Sequence, residues 1–114
     1  MNEMLTTGTW TVSAENEAVF ISAWAEFAGW ASTMPGAGTL RLGRDTSDPR
    51  RFVSFGDWAS EAAVRGWKST AEFRDRIARL LQHVDDFHHE ELDVVASGSG
   101  GRHTAEQAVS GAAK

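Results

Sequence analysis

Cysteine and tyrosine are both missing from this 114-residue chain, and proline occurs only twice. Without cysteine there are no disulfides and no thiolate metal sites. There is no run of 18 apolar residues, so no membrane-spanning helix is expected. The first residues lack a basic segment followed by an apolar core, so they do not read as a secretory signal; a soluble cytoplasmic protein is the expectation. Positive charge is also scarce. Eleven Lys and Arg against 16 Asp and Glu leave a formal charge of −5, whereas a nucleic-acid binder needs a basic surface to displace counterions from phosphate. No GxSxG, P-loop, strand-linked GxGxxG or HExxH occurs, so hydrolase, nucleoside triphosphatase, dinucleotide and zincin readings have no support. His88 and His89 are adjacent on an expected strand and point to opposite faces, and a His83–His89 pair with Glu91 has no recognised metal spacing. No metal is expected. Asp85-Asp86 and Glu90-Glu91 read as a solvated rim.

What the chain does have is large rings, five Trp and six Phe, and a clear switching of hydrophobic period. Trp10 and Val12 alternate with Thr7, Thr9 and Thr11, which predicts a strand near 6–12 after a loose lead-in. Phe20, Ala23, Trp24, Phe27, Ala31 and Met34 follow the three-and-four spacing of one buried stripe, so a helix is expected near 15–33, stopped by Pro35-Gly36. Leu40 and Leu42 face inward on a strand near 38–45, with Arg41 outward. The turn formers Asp45 to Pro49 lead into a strand near 50–57. Ser60 stands at a helix N-cap, and a short helix follows to Trp67. Ser69-Thr-Ala-Glu72 reads as a capping box opening a helix near 70–84 with Phe73, Ile77, Leu80, Leu81 and Val84 as its stripe. Phe87 to Ala96 is the last strand, with Leu92, Val94 and Ala96 on one face and Phe87, His89, Glu91 and Val95 on the other.

The order βαββ(α)αβ predicts an α+β, ferredoxin-like split βαβ domain over residues 1–96: a four-stranded antiparallel sheet with helices on one face. Residues 97–114 are rich in Gly, Ser and Ala and read as a flexible tail. Val53, Phe55, Phe87 and Val95 would leave the other face too apolar for water, so a homodimer packed sheet against sheet is expected.

The Pro35-Gly36 turn, Asp48-Pro49, Trp58-Ala59-Ser60, Trp67 and the Ala71-Glu72-Phe73 helix start resemble the antibiotic biosynthesis monooxygenase (ABM) family of dimeric α+β barrels, over roughly residues 6 to 97. That family mixes oxygenases, haem-degrading enzymes and members without known activity. The resemblance puts Trp67 on the short helix where the haem-degrading members carry a tryptophan. Those members also use an asparagine on the first strand and a histidine ten residues beyond the tryptophan; here stand Thr9, Thr11 and Ile77, so haem degradation is not expected. The resemblance implies instead a cofactor-independent monooxygenase acting on a quinol- or anthrone-like aromatic, with Trp67 stacking on the substrate and Trp10, Trp24, Phe27 and Phe73 lining the pocket. The general base is open, with His83 as a candidate and Arg41 a further anion stabiliser. The competing reading is a non-catalytic ligand-binding barrel whose rings simply fill the core.

Overall fold

The computed structural model describes residues 3–98. Strands β1 (Met4–Thr11), β2 (Ala37–Asp45), β3 (Asp48–Trp58) and β4 (Asp86–Asp93) form one antiparallel sheet in the order β2-β3-β1-β4. Helices α1 (Glu17–Ala31), α2 (Glu61–Lys68) and α3 (Ala71–Leu81) pack on one face of it. This is the ferredoxin-like split βαβ arrangement. No helix among the described residues is long and apolar enough to cross a membrane.

Period two decides which strand residues meet the helices. Met4, Thr6, Gly8 and Trp10 on β1 and Phe52, Ser54, Gly56 and Trp58 on β3 are buried, while the residues between them are not. Phe20, Trp24, Phe27 and Ala31 are the buried stripe of α1 and close onto that surface. A 3₁₀ turn, Ala14–Asn16, precedes α1, so the helix starts later than its pattern implied. After α1, Gly36 turns the chain at φ +84°, and a Cβ there would sit 2.6 Å from the Cβ of Ala63; the position needs glycine on both counts. Only Thr46 and Ser47 separate β2 from β3, a tighter hairpin than the expected five-residue turn, with Asp45 Oδ1 accepting from Ser47 N at 2.7 Å.

Ser60 caps α2 as expected, accepting from Ala63 N at 3.1 Å. The expected capping box is displaced by one residue. Thr70, not Ser69, caps α3, accepting from Phe73 N at 3.0 Å and donating to Trp67 O at 2.9 Å. Ser69 belongs to the end of α2, and Glu72 pairs with Arg76 one turn on instead of reaching back. Helix α3 stops at Leu81, short of Val84, because residues 82–84 close through i→i+3 bonds that reverse the chain into β4.

Two expectations about the sheet need correcting. The lead-in belongs to β1, which begins at Met4 and pairs Met4 with both Trp58 and Asp93. Strand β4 ends at Asp93, and beyond it Val94 N donates to the O of Glu3, the first described residue. The second correction concerns faces. Trp10 lies opposite Phe87, and directly opposed residues share a face, so Phe87 is on the helix side with its ring centroid 4.1 Å from that of Trp10. Val95 lies past the strand and is 90% exposed. The open face instead carries Leu5, Val53, Phe55 and Leu92, with Phe55 and Leu92 nearly half exposed. The expected tail lies, from residue 99 onward, outside the described residues.

Candidate active site

Between the covered face of the sheet and the three helices is a cavity of about 360 Å³, within the size range of small-molecule sites. Its floor is built by a device used twice. Trp10 Nε1 on β1 donates to Ser54 Oγ on β3 at 3.0 Å, and Trp58 Nε1 on β3 donates to Thr6 Oγ1 on β1 at 3.2 Å. Each indole crosses a glycine to do so. A Cβ at Gly8 would lie 2.8 Å from Ser54 Oγ and 2.9 Å from Trp10 Nε1; one at Gly56 would lie 2.8 Å from Thr6 Oγ1 and 3.1 Å from Trp58 Nε1. The register sets Thr6 against Gly56 and Gly8 against Ser54, so the two arrangements are related by a local twofold between the strands. Each polar group in the floor thereby finds a partner, as burial demands.

The roof comes from all three helices. Trp24 and Phe27 on α1, Trp67 on α2, and Phe73 and Ile77 on α3 line the cavity. Trp67 is wedged among rings: it stacks on Trp58 (centroids 4.4 Å, interplanar 23°) and meets Phe73 edge-on (4.9 Å, 78°). Its Nε1 is the one fully buried side-chain N or O atom without a hydrogen-bond partner among the described residues. Leaving such a donor unmatched costs about 1–3 kcal/mol.

Toward β4 the lining becomes charged. Phe87 and His89 stack on each other (5.5 Å, 21°), and Lys68 from the end of α2 lines the cavity beside them. Lys68 Nζ is held by Glu91 Oε2 at 2.8 Å. That hydrogen bond, aided by the charges of Lys68, His89 and Arg65, holds the Glu91 carboxyl below its ordinary range despite an opposing effect of burial.

The five rings expected to line a pocket, Trp10, Trp24, Phe27, Trp67 and Phe73, thus all border one cavity. His83 does not border it: it sits in the turn after α3, its N–H bonded to Leu80 O. Arg41 lies opposite Phe55 on the open face, away from the cavity. His88 and His89 point to opposite faces, with His88 beside Asp86 at 3.1 Å. Among the described residues no group of three His, Asp or Glu is placed to hold a metal ion. Sequence reasoning passed over Lys68 and the paired floor. A signal for the floor stands in the sequence as a repeat, Thr6-x-Gly8-x-Trp10 and Ser54-x-Gly56-x-Trp58.

No curated protein sequence matches the chain. Among solved structures, it is similar to a variant of SnoaB, a cofactor-independent oxygenase from Streptomyces nogalater: TM-score 0.78 and 20% identity, over 85% of this chain and 97% of that one. It is similar also to a Deinococcus radiodurans protein proposed to be an antibiotic biosynthesis monooxygenase, at TM-score 0.76 and 18% identity, covering 86% and 98% of the two chains. A conserved Methanosarcina mazei protein follows at TM-score 0.73 and 12% identity, covering 81% and 92%. At these identities the likeness is one of fold. The sequence itself carries the assignment, since the family model described as antibiotic biosynthesis monooxygenase matches residues 5–79, which run from β1 through most of α3. This chain belongs to the antibiotic biosynthesis monooxygenase family.

Proposed function

We propose that the protein is a cofactor-independent monooxygenase whose substrate is a planar, electron-rich aromatic of the quinol or anthrone type. The observation that carries this reading is Trp67, a ring wall of the cavity with a buried donor that has no partner among the described residues. A ligand carbonyl supplies the missing acceptor once the ring tilts to bring its buried donor to the cavity, and the ring supplies a stacking surface. Loss of a proton from such a substrate leaves an aromatic carbanion, which the accepting carbonyl stabilises as an enolate. The carbanion reduces dioxygen directly; one oxygen atom stays on the ring as a new carbonyl and the other leaves as water. An apolar enclosure favours this by keeping water from reprotonating the carbanion.

Oxygen consumption with anthrone and substituted hydroquinones is the test. Trp67→Phe keeps a stacking ring and removes the donor, so kcat/KM should fall by about tenfold or more, the size of one buried hydrogen bond. Equal turnover by wild type and Trp67→Phe would remove the donor role. Calorimetric binding of these compounds with no oxygen uptake would assign the cavity to ligand binding without catalysis. The homodimer belongs to the same reading, with Leu5, Val53, Phe55 and Leu92 on the open face as the contact.

A further inference from the structure

We infer that Lys68 and His89 make the β4 side of the cavity a seat for the anionic oxygen of an aromatic ligand, with His89 taking the hydroxyl proton and Lys68 balancing the oxyanion. The inference rests on the reading above in taking the ligand to be a planar aromatic; the assignment of this edge is separate. Among the described residues bordering the cavity, only these two are ionisable. Both stand on the same side, one from the last residue of α2 and one from β4, while the floor hydroxyls Thr6 and Ser54 are already occupied by indole donors. A phenol lying along the apolar wall therefore meets an ionisable group at this edge alone among the described residues.

The geometry around Lys68 fits that task. Glu91 holds its ammonium at 2.8 Å, and Lys68 is only about one-fifth exposed, so the cation is positioned before a ligand arrives. Glu91 itself does not border the cavity, whereas Lys68 borders both the cavity and the outer groove that holds Glu91. His89 is two residues from Glu91 on the same face of β4, and its ring lies flat against Phe87. The charged groups that act on Glu91 at this edge are His89 on its own strand, with Lys68 and Arg65 on α2; β1 and α3 contribute no charged group to the cavity lining. The proton transfer breaks the ligand O–H bond, leaves the electron pair on oxygen and places the proton on a ring nitrogen of His89. An opposite charge within reach of a phenol oxygen lowers its ionisation midpoint by about one pH unit or more.

The test uses alizarin, a dihydroxyanthraquinone whose colour reports the ionisation of its hydroxyl. On the wild-type protein the bound dye should ionise about one pH unit below the free dye. Lys68→Met and His89→Gln should each return part of that fall while still binding the dye, and the double variant should return all of it. Failure of the wild type to bind the dye, an unshifted midpoint, or a shift that survives the double variant overturns the inference. Oxygen uptake is scored separately. A lowered midpoint without uptake of oxygen on any anthrone supports this edge and removes the oxygenase reading; normal uptake with an unshifted midpoint does the reverse.

Discussion

Gly8 is where one carbon atom separates a cavity from a clash. Its missing Cβ lets the Trp10 indole reach Ser54, so Gly8→Ala should break that hydrogen bond or force the ring into the cavity. We expect a loss of about 1–3 kcal/mol in urea melts, as for other overpacked cores. The same substitution at Gly29, in α1 with nothing within 4 Å of its Cβ position, should instead raise stability by about 0.5–1 kcal/mol. Equal effects at the two sites would show that the floor tolerates a methyl group. Glu91 gives a pH dependence with a defined sign. Its folded pKa is depressed, so its pairing with Lys68 contributes above the ordinary glutamate value, about 4.3, and fades as pH falls through the lower folded value. With the carboxylate side chain 40% exposed, the contribution stays under about 1 kcal/mol. The stability gap between wild type and Lys68→Met should therefore be present at pH 7 and close toward pH 3; a constant gap would mean that Lys68 acts through packing. At this scale the rings were legible in the sequence and the polar groups were not. Trp67 and Phe73 stand out by size and spacing, but whether Lys68 faces solvent or a cavity depends on where β4 is placed, which no local pattern states.

The α2–α3 corner shows the same limit at the level of elements. Both Ser69 and Thr70 are residues that cap helices, and the spacing to Glu72 favoured the first. The structure uses Thr70 because its hydroxyl both accepts from Phe73 N and donates to Trp67 O, tying the end of one helix to the start of the next. Thr70→Ala should cost about 1 kcal/mol, more than Ser69→Ala, measured by urea unfolding. The reverse order would restore the capping-box reading. Helices and strands were otherwise legible as elements because period 3.6 and period two are both strong in this chain. Their faces were legible only where burial alternates: β1 and β3 alternate fully, whereas β4 is an edge strand exposed along most of its length. Its one half-buried ring, Phe87, could be assigned only once its partner was known to be Trp10.

Across the whole molecule, the helices cover one side of the sheet and leave the other bare. Leu5, Val53, Phe55 and Leu92 lie on the bare side among the threonines of β1. Sedimentation at micromolar concentration should report twice the chain mass, and Phe55→Glu should return it to one, since a charge on a buried apolar contact costs several kcal/mol. A wild type that sediments as one chain, with Phe55→Glu equally soluble, would contradict the pairing. The sequence predicted an apolar open face but populated it partly with the wrong residues, for the reason given for β4.

The stacked indoles of Trp58 and Trp67 have a practical consequence. At 4.4 Å their electronic transitions couple, so the pair should contribute an exciton couplet to the far-ultraviolet circular dichroism. Trp67 is also a cavity wall, so a ligand that tilts its ring changes the couplet's amplitude. The protein thus carries an unlabelled optical gauge of its own occupancy, and Trp58→Phe should silence it.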